Sequence, residues 1–290
     1  MKLYSPAVIA ALCDKHNFRQ SKSLGQNFIT DQNIISKIID RSQIGDEDLV
    51  LEIGPGIGAL TAAAAERAAK VIAIEIDKRL TPVLSDTLRD YKNVDVVIGD
   101  VLKTDLNELL DEYWGASKGD GKAVIIGNLP YYITTPVIMK ILEGKVAAET
   151  LVVMVQKEVA DRLVAKPGTK TYGAITVVVN YYCTVARIAD VPRDVFVPKP
   201  NVDSAVLKLD IRKTPPVSLV DEKVFFTCIK AGFGQRRKTL LNSLSGLGGI
   251  GKKEALKSLM DAGIDPTRRA ETLSISEFAA LANSVSARRE

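Results

Sequence analysis

Histidine is nearly absent from this chain: His16 is the only one in 290 residues. A Ser-His-Asp triad depends on imidazole and zinc-activated water commonly does, so neither chemistry is expected. Cysteine is scarce too. Cys13, Cys183 and Cys228 are odd in number and widely separated, which gives no disulfide framework and no metal-ligand spacing. That usage fits a reducing compartment. Long apolar runs are also missing: nothing approaches the roughly 18–20 residues of a membrane span, and residues 1–25 hold no signal-peptide core. A cytoplasmic protein without a metal or a membrane is the expectation. His16, near a chain terminus, is given no chemical role.

What is present is ordinary globular material, 46% hydrophobic and 26% charged, ample for a core. The formal net charge is only +4, yet it is unevenly spread. Residues 1–30 carry four Lys or Arg against one acid, residues 31–210 carry 21 against 26, and residues 211–290 carry 14 against 8. Basic flanks around an acidic centre suggest a polyanionic partner gripped by the flanks and a cationic cofactor between them. Scattered surface charge is the plain alternative.

Short β-branched runs alternate with helical patterns over the first two-thirds. Strands are expected at 48–54, 70–77, 94–100, 122–128 and 150–156, then at 183–191 and 203–211. Nearly continuous apolar content suits strands covered on both faces of a parallel sheet. Helices are expected at 59–69 and 77–91, the second with Pro82 near its first turn. The alternation predicts a doubly wound α/β sheet. After "RKTPPVS" (212–218) the pattern turns helical, at 220–233, 238–247, 252–263 and 274–285. The expected division is therefore 1–212, a sheet domain with a basic N-terminal arm, and 218–290, a small all-helical domain.

"EIGPGIG" (52–58) follows a strand and opens a helix, the context that a nucleotide-binding glycine loop requires. A methyl donor, a dinucleotide and a merely structural turn all remain open. The spacing G-x-G-x-G, the stiffening Pro55 and the acids at two later strand ends favour S-adenosylmethionine. Glu75 can accept from both ribose hydroxyls, and Asp100 can take an adenine amine. Both also suit a sulfonium cation.

These features resemble the Rossmann-like S-adenosylmethionine-dependent methyltransferases. "NLPY" (128–131) at the fourth strand's end resembles the Asn/Asp-Pro-Pro-Tyr/Phe motif of enzymes that methylate the exocyclic amine of adenine. The resemblance assigns Asn128 and the carbonyls of Leu129 or Pro130 to accept the amine's two N–H bonds. This frees a delocalised lone pair for in-line attack without a strong base. Tyr131 stacks on the base, which must be flipped out to arrive. A Pro turn with core tyrosines is the alternative.

Four ordered motifs, "GQNF" (25–28), "NLPYYITTP" (128–136), "FVPKPNVDSA" (196–205) and "GQRRKTL" (234–240), resemble the ribosomal RNA adenine dimethyltransferases over essentially the whole chain. The expected fold is then a Rossmann-like methyltransferase with a mostly parallel seven-stranded sheet plus the helical domain. The family's donor contacts fall on Asn27, Ile29, Gly54, Gly56, Glu75, Asp100, Val101 and Asn128. Arg236, Arg237 and Lys238, expected at a helix start, would grip phosphates, with Phe196 as a base-side aromatic. Tyr132 stands where many relatives have Asn and receives no role. The implied substrate is a pair of adjacent adenosines near the 3′ end of 16S rRNA in an immature 30S-type subunit, and the implied state is monomeric. The alternatives are a large-subunit rRNA methyltransferase of the macrolide-resistance type, a DNA adenine methyltransferase, and a ribosome-assembly binding factor.

Overall fold

The computed structural model describes residues 1–21, 24–114, 120–235, 237–246 and 250–288. The helix α1 (Pro6–Lys15) and the short strand β1 (Phe28–Ile29) lead into α2 (Gln32–Ser42). Strands and helices then alternate as β2 (Leu49–Ile53), α3 (Ala59–Ala65), β3 (Lys70–Glu75), α4 (Thr81–Thr87) and β4 (Val94–Ile98). The series continues with α5 (Leu106–Trp114), β5 (Ala123–Asn128), α6 (Thr134–Glu143) and β6 (Thr150–Gln156). Next come α7 (Lys157–Leu163), α8 (Ala174–Tyr182), β7 (Cys183–Val191), β8 (Phe196–Val197) and β9 (Ser204–Ile211). Four helices follow: α9 (Glu222–Gly234), α10 (Leu240–Leu244), α11 (Lys252–Asp261) and α12 (Ile275–Ser286).

Seven strands form one sheet in the order β4-β3-β2-β5-β6-β9-β7, while β1 and β8 pair as a separate antiparallel ribbon. The pairs β2–β3, β3–β4, β2–β5 and β5–β6 are parallel. β9 runs antiparallel to β6, with Ser204 opposite Gln156. The sheet is the doubly wound one that the alternation predicts and the mostly parallel seven-stranded one that the family resemblance implies. All five residues of β2 are buried, as expected of a strand covered on both faces. On the edge strand β4 every residue is only half-buried.

Strand order reverses at β2. The chain runs outward to β3 and β4 on one side, then returns to place β5 and β6 on the other. The connections after β2 and β5 therefore diverge and leave a crevice at their carboxyl ends. Helix α2 helps hold this arrangement, laying Ile34, Ile35, Ile38 and Ile39 against Val50, Val124 and Val152. Its N-terminus is capped by Asp31, which accepts from the Asn33 amide at 2.7 Å; such caps contribute about 1 kcal/mol.

Several helix boundaries differ from expectation: α3 ends at Ala65 rather than 69 and α4 at Thr87 rather than 91. The 77–91 helix begins as a 3₁₀ turn over Lys78–Leu80, and α4 starts only at Thr81. Pro82 then lies in the first helical turn, where its missing N–H has no partner to lose. The helix expected from residue 238 is the short α10 starting at Leu240, so Arg237 and Lys238 sit in the turn after α9. They are exposed but do not open a helix. Arg236 lies outside the described residues.

Contacts divide the chain into residues 1–160 with 185–211, and residues 161–184 with 212–290. Beside the break after residue 211, this division departs from the expected one at 161–184, which groups with the C-terminal helices. The reason is packing. Val177 and Tyr181 on α8 join one apolar cluster with Phe225, Cys228 and Phe278. The Tyr172 hydroxyl donates to the Leu273 carbonyl at 2.8 Å, and burial pushes that phenol up to about 12. The Ser274–Glu277 capping box opens α12 as its sequence predicts, with the Glu277 amide donating to Ser274 Oγ.

Candidate active site

A cavity of about 280 Å³ lies beyond the carboxyl ends of β2, β3, β4 and β5. Its floor is the glycine loop. Gly54 and Gly56 have φ of +73° and +58°, a region that costs L side chains energy. At Gly56 space is also lacking, since a Cβ would lie 3.0 Å from the Phe28 ring. Loop and N-terminal segment are therefore fitted to each other.

Glu75 ends β3 and is 5% exposed. It accepts from the Asp77 amide at 2.9 Å and the Gly56 amide at 3.3 Å. Burial raises its pKa, the two amides pull it back, and the Asp77 charge adds to the rise. A carboxylate has about four acceptor positions, so two such bonds leave capacity for ligand hydroxyls. Asp100 follows β4 and turns its loop inward: Oδ1 accepts from the Leu102 amide at 2.9 Å. The buried Val101 lines the cavity beside it.

Glu52 on β2 was given no role by the sequence reading, yet it lines the same cavity at 1% exposure. Its Oε2 has no hydrogen-bond partner among the described residues. Burial pushes its carboxyl up to about 8; the Thr61 hydroxyl tempers the shift and the Glu75 charge adds to it. The acidic first position of "EIGPGIG" was the available signal. Ile76, half-exposed and cavity-lining, was also missed.

The "GQNF" segment forms another wall. Gln26 Nε2 donates to Asp77 Oδ2 at 2.8 Å, and Asp77 is held below the usual carboxylate range chiefly by Arg79. Asn27 turns its amide onto the Gly25 carbonyl at 3.0 Å, while its own carbonyl accepts from Asn128 Nδ2 at 2.9 Å. Ile29, 5% exposed, lines the cavity and pairs with Phe196. Asn27, Ile29, Gly54, Gly56, Glu75, Asp100, Val101 and Asn128 all meet around this one space.

At the end of β5 the Asn128 amide is oriented by that bond, and no partner of its Oδ1 is found among the described residues. The Pro130 carbonyl already accepts from the Ile133 amide and the Thr134 hydroxyl, both at 3.1 Å. Both lone pairs are thus engaged. Of the two carbonyls considered for the amine, that of Pro130 is therefore already taken. The Leu129 side chain is itself core, 1% exposed.

Successive tyrosines diverge here. The Tyr131 hydroxyl pairs with Ser204 Oγ at 2.8 Å, which joins "NLPY" to "DSA", and its ring is not part of the donor cavity. Tyr132, given no role, does line the cavity. Phe196 needs correction: it is 3% exposed within the core beside β1, so its ring has no open face for a base. Its aromatic character serves packing.

A family profile described as ribosomal RNA adenine dimethylase matches residues 17–286. The chain belongs to that family. Membership makes it an S-adenosylmethionine-dependent rRNA adenine dimethyltransferase. It is 50% identical over 290 residues, 99% of each chain, to the ribosomal RNA small subunit methyltransferase A of Alkaliphilus metalliredigens. The same-named protein of Bacillus mycoides is 50% identical over 277 residues, 94% of each chain. Among solved structures, a dimethyladenosine transferase from Plasmodium falciparum superposes with a TM-score of 0.74 at 27% identity, covering 87% of this chain and 95% of the other. The 23S rRNA methyltransferase ErmE gives 0.68 at 25% identity, covering 89% and 99%.

Proposed function

We propose that this dimethyltransferase modifies the N6 amines of two adjacent adenosines near the 3′ end of 16S rRNA, acting on an immature 30S-type subunit. It would work as a monomer in the cytoplasm and take part in ribosome biogenesis. The substrate assignment rests on the half-identical small-subunit relatives. The chemistry rests on one observation above all: Asn128 is held by the Asn27 carbonyl at the edge of the cavity, its Oδ1 left to accept.

The cavity's groups fit S-adenosylmethionine. Glu75 keeps acceptor capacity for a hydroxyl pair, the Asp100 carboxylate suits a ligand of positive charge, and Glu52 Oε2 is a buried polar atom still open to a ligand hydrogen bond. Gly54 and Gly56 let the backbone approach closely. When bound there, the donor supplies an electrophilic methyl on a sulfonium. Asn128 Oδ1 and the Leu129 carbonyl would accept the two N–H bonds of the target amine and pull its nitrogen toward tetrahedral geometry. This exposes the lone pair without removing a proton first, so oriented dipoles replace a base. The proton leaves the methylated nitrogen after transfer, to solvent. Tyr131, anchored by its hydroxyl to Ser204, would present its ring to the flipped base. Arg237 and Lys238, exposed in their turn, would contact phosphates, and Arg236 is proposed with them from sequence alone.

The deciding assay offers tritiated S-adenosylmethionine to undermethylated small subunits, mature small subunits, large-subunit RNA and DNA. Label is expected on undermethylated small subunits, on two neighbouring adenosines. No label there, or preferential label on large-subunit RNA, would overturn the assignment.

A further inference from the structure

The turn after β5 fixes its backbone on both sides of one unassigned aromatic. Leu129 and Thr134 are each 1% exposed, and the Ile133 amide closes the turn onto the Pro130 carbonyl at 3.1 Å. Between them Tyr131 and Tyr132 occupy the two central positions. Tyr131 goes to Ser204, whereas Tyr132 projects to the cavity with 55% of its surface exposed.

Two further contacts locate the Tyr132 ring. Its Cε1 lies 3.7 Å from the point that a Gly25 Cβ would occupy, so the ring packs across the "GQNF" wall. Its phenol is pushed up by burial and then by the charges of Asp100 and Glu75. The ring thus stands within electrostatic reach of Glu75 at the end of β3 and Asp100 just after β4. A rigid, amphipathic ring with an open face is suited to covering a flat heterocycle.

We propose that Tyr132 is a positioning residue for the donor: its ring closes the cavity over the adenosine half of S-adenosylmethionine and sets donor affinity. The assignment rests on the reading of this cavity as the donor site. It divides the tyrosine pair by function, with Tyr131 turned to the acceptor and Tyr132 to the donor. Because the side chain is exposed, replacing it leaves the core intact.

The test is calorimetric titration of the unliganded protein with S-adenosylhomocysteine and, separately, 5′-methylthioadenosine, which lacks the amino-acid half. Tyr132→Ala should weaken both ligands on the order of ten-fold, and Tyr132→Phe should stay within about two-fold of the wild type. In transfer assays Tyr132→Ala should raise the donor KM more than it lowers kcat, with the acceptor KM unchanged. Tyr132→Leu, bulky but not aromatic, repeats the test should the alanine variant lose thermal stability before ligand is added. Equal affinity of wild type and Tyr132→Ala for both ligands would overturn the proposal, as would a loss confined to S-adenosylhomocysteine. A wild-type protein that binds neither ligand would instead overturn the donor-site reading beneath it.

Discussion

Replacing Glu52 by glutamine exchanges an ionisable group for a neutral one of the same shape at the most buried acid of the donor cavity. Glu52 is 1% exposed, Oε2 is unpartnered, and burial raises its carboxyl from an ordinary 4.5 to about 8. At neutral pH the folded chain keeps this proton while the unfolded chain has lost it. The unfolded state therefore binds fewer protons, and stability falls as pH rises. Glu52's contribution is fully present below about 4.5 and is lost progressively up to about 8. Each pH unit inside that window costs about 1.4 kcal/mol, so crossing it costs about 5 kcal/mol, a ceiling that local relaxation and water entry reduce. Denaturant unfolding of the unliganded protein from about pH 5 to about pH 8.5 reads this out. Glu52→Gln should gain on the wild type by a few kcal/mol across the range, the gain growing steadily up to about pH 8 and levelling off above it. Asp48, Asp77 and Glu277 are held below their ordinary values, so they titrate at lower pH and cancel in the difference. A stability difference that stays flat with pH would refute the reasoning.

Asn128→Ala should lower kcat on the order of 10²–10³-fold, while gel-shift affinity for the RNA stays unchanged; normal turnover would remove Asn128 from its role. Gly56→Ala combines a φ of +58° with a contact of 3.0 Å to the Phe28 ring. It should lose at least about 1–2 kcal/mol in unfolding experiments and weaken donor binding. A variant as stable as the wild type would contradict the fitted loop. Arg237→Ala and Lys238→Ala should each weaken RNA binding and reduce the slope of log affinity against log salt by roughly 0.7–1. An unchanged slope would make that turn a solvated surface.

Residues whose type is forced by local physics were legible before any coordinates. The apolar runs of β2, β5 and β6 reflect burial on both faces, and such strands show their burial in a few consecutive residues. Gly54 and Gly56 could be read because positive φ disfavours other residues. Features set by partners distant in sequence were not legible. Residues 161–184 read as part of the sheet domain until α8 meets Phe225. Phe196 reads as a base-side aromatic until β8 pairs with β1. Tyr131 and Tyr132 are chemically almost identical neighbours, and only the turn's geometry sends one to Ser204 and the other to the cavity.

The sequence by itself determined the sheet class, the glycine loop with Glu75 and Asp100, and the amide-ended "NLPY" corner, because backbone conformation and hydrogen-bonding chemistry restrict residue type at each position. Tertiary structure decided how they work together. It set the Asn27 carbonyl on Asn128 across 101 residues, occupied the Pro130 carbonyl, and buried Glu52 Oε2 with no partner among the described residues. Such outcomes depend on which surfaces exclude water and which lone pairs are already taken, and these are properties of the packed chain rather than of any one segment.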